Sequence, residues 1–558
     1  MFREDILKKY KSSLLVIAFI YSGFLQAEAR DLDDVIKTQQ VIDRTNSNEN
    51  KILKKDVYST IEDVLSTKIE LPIEANCKNI NELIIENDFI NDSGINEIKR
   101  SIAGRCLGAQ GIKKLAIIVQ DYFINKGYIT TRIAIPNQNL SSQKLILRVE
   151  PGRIEDIIIS DMNIMEEILP FEREKILNLR DIEQGLEVLQ RVPGNDIKIN
   201  IEPGANVGNS NVLINSNLKK NWNGKAWLNN WGDDATGKML FGGAGYFYNL
   251  ANMNDIFYIS GSTNTERNYG TYNSFNTFYS VPWGYWDYEL FYSKSHSRQL
   301  VKLDIYDFNY SGKSEYLSLK ATRVVYRDSD KKVSLSGELL SRQVKYQLED
   351  IELALQKRNM KNIRVGVNYN QNFTGAILGG TLSYQRFLPY MGSVKTPDME
   401  SGDVSSQSNI INLDANYTKI LDLIGLDTYY NLKIGMQYSP GNLTLQDQFS
   451  VGNRSNVRGF ENSNGLYSNN GFFAQNTINI MTGMSNLIGY AGTDYGQTWD
   501  KLSARSAHET NKILGATIGL KDNINELVYD ISFSSPLLSP KESNNDKLNI
   551  NFSISYQI

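Results

Sequence analysis

Residues 548–558 alternate without a fault. Leu548, Ile550, Phe552, Ile554, Tyr556 and Ile558 are apolar or aromatic, while Asn549, Asn551, Ser553, Ser555 and Gln557 between them are polar. A period of two is the pattern of a strand with one apolar face. Trp286, Tyr288, Leu290 and Tyr292, set against Asp287, Glu289, Phe291 and Ser293, follow nearly the same rule. Beyond residue 220 such alternation recurs over segments of about ten residues, separated by Asn/Gly/Asp-rich turns. Two architectures cover apolar strand faces of this kind: a sandwich, where they meet a second sheet, and a membrane barrel, where they meet lipid around a polar lumen. Three features favour the barrel. Roughly 340 residues pass without a helical break, 31 Tyr and 6 Trp are available for interfacial girdles, and the alternation runs to the chain end.

The preceding part has a different character. Residues 71–215 mix helical and strand periods: Ile112, Leu115, Ala116, Val119 and Phe123 share one helical face ended by Gly127. Asp181, with Gln184 three residues on, is expected to cap a second helix that carries Leu186 and Leu189 inward and stops at Val192-Pro193-Gly194. Strands are expected over Thr131–Ile135, Lys144–Glu150 and the stretch holding Ile197, Ile199 and Ile201. Val149-Glu150-Pro151-Gly152 is echoed by Ile201-Glu202-Pro203-Gly204, a hint of two similar modules that is too short to establish a repeat.

At the start, Arg3, Lys8, Lys9 and Lys11 precede the apolar run Leu14–Leu25, and Ala27-Glu28-Ala29 supplies small residues for cleavage after Ala29. The run is short of the ~20 residues a spanning helix needs, so residues 1–29 are expected to be a secretion signal. Export suits the two cysteines, Cys77 and Cys106. With no third cysteine to compete, a bond between them is favoured over two buried thiols, closing a loop worth roughly 3 to 4 kcal/mol of chain entropy. A formal charge of −4 offers no basic stripe for nucleic acid. The two histidines, His296 and His508, form no local metal or triad pattern, and no Gly-x-x-x-x-Gly-Lys-Ser/Thr occurs. No catalysis, cofactor or metal is expected.

Four local matches identify a family. Phe449-Ser450-Val451-Gly452-Asn453-Arg454-Ser455-Asn456-Val457-Arg458-Gly459-Phe460 resembles the loop motif, ending in Val-Arg-Gly-Phe or Val-Arg-Gly-Tyr, of two-partner secretion transporters. These are the outer-membrane exporters of haemolysins, filamentous haemagglutinins and contact-dependent inhibition toxins. Tyr279-Ser280-Val281-Pro282-Trp283-Gly284-Tyr285-Trp286 is similar to their early hairpin, and Gly471-Phe472-Phe473-Ala474-Gln475-Asn476 to the strand after the loop, with Gln475 where Arg is frequent. Thr493-Asp494-Tyr495-Gly496-Gln497 resembles their Phe-x-Asp-x-Gly motif, with Gly492 replacing the aromatic residue.

The resemblance implies a mainly β chain. A 16-stranded transmembrane β-barrel (220–558) is preceded by two periplasmic α+β POTRA domains (71–150 and 151–219), a linker (46–70) and an N-terminal plug helix (30–45). It further implies that the loop folds back into the barrel, where Arg458 meets Asp494 and Gly459 permits the turn. The expected partners are a large secreted protein, bound in the periplasm through its N-terminal secretion domain, and outer-membrane lipid. The barrel is expected to be monomeric and to work without nucleotide hydrolysis. An exposed POTRA sheet edge can accept an extended chain by strand addition, and a polar lumen can conduct it. The alternative within the same superfamily is a barrel assembly factor, which usually carries more POTRA domains than ~150 residues hold.

Overall fold

The computed structural model describes residues 70–160, 162–216, 220–266, 270–302, 307–349, 351–390, 392–423, 425–460, 465–483, 486–500, 511–540 and 547–557. The signal, the plug helix and nearly all of the linker expected from the sequence lie outside these residues. No helix among them is long and apolar enough to cross a membrane.

Two α/β modules come first. In one, β1 (Lys78–Ile80) pairs with β3 (Arg105–Leu107), and β2 (Glu82–Glu86) runs parallel to β5 (Lys144–Glu150), which also pairs antiparallel with β4 (Arg132–Ala134). Helices α1 (Ser93–Ile102) and α2 (Ala109–Asn125) cover this framework. The expected face of α2 is inward: Leu115, Ala116, Val119 and Phe123 join Ile95, Ile102, Leu145 and Leu147 in one core. Helix α1 escaped the sequence reading, although its signal was present. Asp92 accepts from the Gly94 and Ile95 amides at 3.1 Å each, a side-chain N-cap ahead of Ile95, Ile98 and Ile102.

Helix α2 begins at Gly108, which has no capping side chain. Glu74 serves instead, from 34 residues away. Its carboxylate accepts from the amides of Gly108 (3.0 Å), Gln110 (3.0 Å) and Gly111 (2.7 Å). Nearby, Cys77 and Cys106 are joined by a disulfide with Cα atoms 5.3 Å apart. These two links tie the segment entering the module to the start of its longest helix.

The second module holds β6 (Arg153–Ser160), α3 (Leu179–Gln190), β7 (Lys198–Pro203) and β8 (Asn209–Asn215), with strand order β6-β8-β7. Its last strand lies in the middle, parallel to the first, as β5 does in the order β2-β5-β4. The two modules therefore share a topology, but the four-residue echo does not mark equivalent places. Its first copy ends the central strand β5, and its second ends the edge strand β7. Asp181 is not the cap of α3 either. Asn178 is, accepting from the Arg180 amide at 2.8 Å, and Asp181 lies within the first turn, where it receives the Tyr285 hydroxyl instead.

From Trp222 to Gln557 the chain forms one closed antiparallel ring of sixteen strands, with the two-residue piece Ile351–Glu352 as an extra pairing. The last strand closes on the first from Ser553↔Asn229 to Gln557↔Lys225. Closure removes free edges, the condition for strands in lipid, and a sandwich is thereby excluded. Ile550, Ile554 and Tyr556 face outward, whereas Asn549 and Ser555 are buried on the inner side. The strands differ from the expected ten-residue segments, running from 8 residues (Trp222–Asn229) to 21 (Asp307–Arg327). At ~3.3 Å per residue the longer ones exceed a ~25 Å apolar band even when tilted. Their far ends enclose Tyr272, Tyr310, Val344 and Tyr346, a buried cluster that rewards pairing beyond the membrane.

Orientation follows from the connections. Short turns at Asn249–Asp255 and Gly284-Tyr285 lie against the second module, with the Met165 amide donating to the Asn252 carbonyl (2.7 Å) and the Gly284 amide to that of Ile168 (2.8 Å). Long connections, holding residues 388–390, 392–409 and 439–460, start from the opposite end. Short turns are periplasmic and long loops extracellular in such barrels.

The Glu74 contact gives a pH test. Amides of Gln110, Gly111 and Gly108 hold its carboxyl below the usual carboxylate range, against a smaller opposing effect of burial. A depressed folded pKa stabilises above the unfolded value and is lost as pH falls through the folded one. Glu74→Gln should therefore speed hydrogen exchange at Gly108–Gly111 at pH 7, and the difference from wild type should vanish in acid below that depressed pKa.

Candidate functional site

Beyond Tyr438 the chain leaves the wall, and its next segment, 439–460, returns into the barrel before the wall resumes at Asn470. The motif within it is buried. Val457 is fully covered, and Phe460 packs with Val451, Phe473 and Ile513. A turn held by one side chain places them: Asn456 Oδ1 accepts from the amides of Gly452 (2.9 Å), Asn453 (3.0 Å) and Val457 (2.6 Å). Asn453 Oδ1 accepts in turn from the Ser455 amide at 2.9 Å. The second is an Asx turn and the first bonds backward to the preceding turn, the local reason an asparagine pair three apart belongs here.

Arg458 and Asp494 are in direct contact. Arg458 Nε donates to Asp494 Oδ2 at 2.6 Å and Nη2 donates to Oδ1 at 2.7 Å, a two-pronged guanidinium–carboxylate pair. The Arg458 amide adds a bond to Oδ2 at 3.0 Å, and the Asn476 amide one to Oδ1 at 3.2 Å. Asp494 is fully buried, so this ring of donors replaces the water it has lost. Arg458 Nη2 also reaches the Asn476 carbonyl (3.0 Å) and Thr477 Oγ1 (2.9 Å). The loop is thereby fastened to two adjacent wall strands, Asn470–Met481 and Ile488–Trp499.

Glycines make the seat. A Cβ at Gly515 would fall on the Arg458 carbonyl oxygen, and one at Gly492 would overlap both the Arg458 guanidinium and the Asn476 carbonyl. At Gly496 it would lie 2.7 Å from Val457 Cγ2. The departure at Gly492 thus opens the space that the arginine occupies in this chain. Gly459 has φ +105°, and its missing side chain lets it approach the Ser535 carbonyl, which an added Cβ would meet at 2.6 Å. The sequence signal for the seat was glycine recurring on one face of a strand, at 492 and 496.

A second arginine of the motif had no assigned place in the sequence reading. Arg454 lies 4.2 Å from the Trp231 ring centroid and 3.5 Å from Asp530 Oδ2, and Tyr490 donates to the other Asp530 oxygen at 2.7 Å. Lys433 Nζ donates to the Ser455 carbonyl at 3.0 Å. Beneath the loop is a cavity of about 1080 Å³, reached by Arg454 and Arg458 from the loop and lined on the wall by Asn370, Asn416, Asn431 and Thr477. Cys77 and Cys106 belong to the first module and take no part in this site. No cluster that could hold a metal ion occurs among the described residues.

The family model for haemolysin secretion/activation proteins of the ShlB/FhaC/HecB type matches residues 208–521, more than half of the chain. The chain belongs to this family. A POTRA domain of the ShlB type matches residues 79–152, and a further POTRA domain matches 153–203. Among relatives, outer membrane transporter CdiB-2 of Burkholderia pseudomallei is 28% identical over 82% of this chain and 79% of its own. The haemolysin transporter ShlB of Serratia marcescens is 28% identical over 70% and 71%. The solved CdiB structures from Escherichia coli and Acinetobacter baumannii superpose with a TM-score of 0.83 each, at 22% and 24% identity. They cover 95% of this chain and 98% and 99% of their own, and show the shared fold. The protein is a two-partner secretion transporter of the outer membrane, with its POTRA modules in the periplasm.

Gly515→Ala tests the seat separately from the ion pair. The added methyl should unseat the loop while the ring still closes, giving a barrel with wild-type heat-modifiable mobility whose segment 449–460 has become open to protease from outside the cell. A loop as protected as in wild type would show that the wall yields instead.

Proposed function

We propose that this transporter recognises an unfolded secreted partner protein in the periplasm through its POTRA modules and passes it through the barrel without nucleotide hydrolysis. The partner is of the haemolysin, adhesin or toxin class and is presented through an N-terminal secretion domain. The observation that carries the reading is the seated loop: a removable segment, fixed by the Arg458–Asp494 pair, stands over a polar cavity inside a closed ring. For a chain to pass, that loop has to change place. The fixed contact therefore defines one state of an export cycle, and Arg458 and Asp494 are its lock.

The periplasmic side supports the same reading. Edge strands β4 and β7 each have one pairing partner among the described residues, so a further strand can be added to either sheet through main-chain hydrogen bonds. An extended partner needs such a backbone-reading site before its side chains are sorted. Folding of the partner outside the cell would supply a direction to a chain whose sequence carries no Gly-x-x-x-x-Gly-Lys-Ser/Thr.

The lock makes a quantitative prediction. Removing one member of a buried pair costs about 3–5 kcal/mol, because the other charge is left without its partner. Arg458→Ala should leave the barrel assembled and lower secretion at least about tenfold per folded barrel. Asp494→Ala should do the same, and the double change should add little, since residues in contact couple rather than add. Arg458→Lys keeps the charge without the planar fork and should stay impaired. Secretion is measured against heat-modifiable barrel. Additive losses, or normal export by Arg458→Ala at wild-type barrel levels, would remove the lock from the mechanism.

A second measurement addresses recognition. Full-length protein in detergent should bind the secretion domain of its cognate partner, and mature globular proteins should neither bind nor compete. Loss of binding on placing a proline in β7, with both the second module and the barrel still folded, would favour a contact on that strand.

A further inference from the structure

Helix α3 of the second POTRA module is docked across the periplasmic end of the barrel by buried charge. Arg327, at the end of the strand Asp307–Arg327, has a side chain 2% exposed. Its Nη1 donates to Glu187 Oε2 at 2.7 Å and to Gln184 Oε1 at 3.0 Å, and its Nε reaches Glu183 Oε2 at 3.4 Å. All three acceptors lie on one face of α3. Lys332, opposite Arg327 in the strand register, donates to Glu187 Oε1 at 2.8 Å. Two further contacts complete the grip. Asn254 Nδ2 donates to the carbonyls of Val188 (2.6 Å) and Leu189 (3.0 Å) near the end of α3, and Arg191 pairs with Asp287 at 3.2 Å. Burial works against the charge on Glu187, but Lys332 and Arg327 together hold its carboxyl well below the usual carboxylate range.

The cavity beneath the loop is the same one that α3 bounds. Gln184, Glu187 and Arg191 line it from the periplasmic side, and Arg454 and Arg458 from the loop side. About 1080 Å³ is the size of a large small-molecule pocket, whereas an extended chain crossing the lumen needs room along its full length.

We propose that α3 is a periplasmic latch on the export path, and that Arg327 is the positioning residue that holds it closed independently of the loop lock. The consequence for export rests on the transporter reading, but the latch itself is read without any partner protein. Among the described residues, two elements border this chamber, the loop on one side and α3 on the other. Release of α3 swings the second POTRA module away from the rim, so the site that receives a chain and the opening that admits it move together. A charge-held contact suits a closure that must reopen, because water can take over each partner as they separate.

The test is single-channel recording of the purified full-length protein in planar bilayers. Arg327→Gln should raise the frequency of openings at least about tenfold, the scale expected when one partner of a buried charge pair is lost. Glu187→Gln should do likewise, whereas Arg327→Lys, which keeps a charge within reach of Glu187, should open less often than Arg327→Gln, a difference that a merely structural role for the side chain would not produce. A clamp supplies the converse. Asn163 and Asn252 meet across the interface, Nδ2 to Oδ1 at 3.3 Å. Cysteines there, bridged by a short bifunctional thiol reagent, should abolish the added openings of Arg327→Gln. The two native cysteines are already paired and do not compete for the reagent. Folded Arg327→Gln that opens no more than wild type, or a bridged protein that opens as freely as an unbridged one, would overturn the latch. Impaired export with wild-type conductance would also overturn it, while leaving the transporter reading in place.

Discussion

Every amide and carbonyl of a strand in hydrocarbon has to find its partner within the sheet, and this requirement shapes the rest of the protein. It forces Asn549–Gln557 to close on Trp222–Asn229, and closure divides each strand into a lipid face and a lumen face. The lumen then fills with Asn, Thr, Lys and Asp side chains, whose bonds have to come from the wall, from water or from whatever enters. Asp494 and the wall glycines take a returning loop at one end, and Arg327 and Lys332 take a helix at the other. Both visitors occupy polar sites that a closed ring creates and does not itself satisfy.

Magnitudes decide how firmly the loop is held. Covering Val457 and Phe460 is worth roughly 1.5–3 kcal/mol each, comparable with the ~3–5 kcal/mol at stake when the Arg458–Asp494 pair is broken by truncation. Neither term alone accounts for the seat. The ion pair sets the loop's position to within a hydrogen bond, because a fork and a carboxylate meet in one geometry, whereas the apolar cluster tolerates sliding. Loss of Arg458 therefore leaves a loop still attracted to the wall but no longer placed, a different state from an open lumen.

The barrel was legible because alternation with a period of two survives any strand length. The C-terminal strand showed both faces, and Lys144–Glu150 matches its expected span. Strand length itself was hidden, since nothing local in Asp307–Arg327 tells lipid-facing from water-facing alternation. Caps failed where a contact remote in sequence decided them. Asp181 is a sound N-cap by type, but Asn178 lies one turn earlier and Tyr285, 104 positions away, takes the carboxylate. For the same reason Glu74 as the cap of α2 could not be read from its neighbours. The Arg458–Asp494 contact was accessible through motif resemblance alone, because 36 residues separate the partners and nothing in either segment names the other.

Arg327 was missed for a further reason: on a strand end next to Asp328 and Asp330 it looks like an ordinary charged turn. Its role emerges from burial, since a guanidinium kept from water has to be matched, and here the matching acids belong to another domain. That placement gives the two-module arm a fixed bearing on the barrel in this state. A single apolar patch would hold α3 without specifying its rotation, whereas Glu183, Gln184 and Glu187 reach one guanidinium only when one face of the helix is turned toward the rim. Direction, more than strength, is what the buried charges contribute. The helix that packs on the β6-β8-β7 sheet is thus oriented by the wall of the barrel.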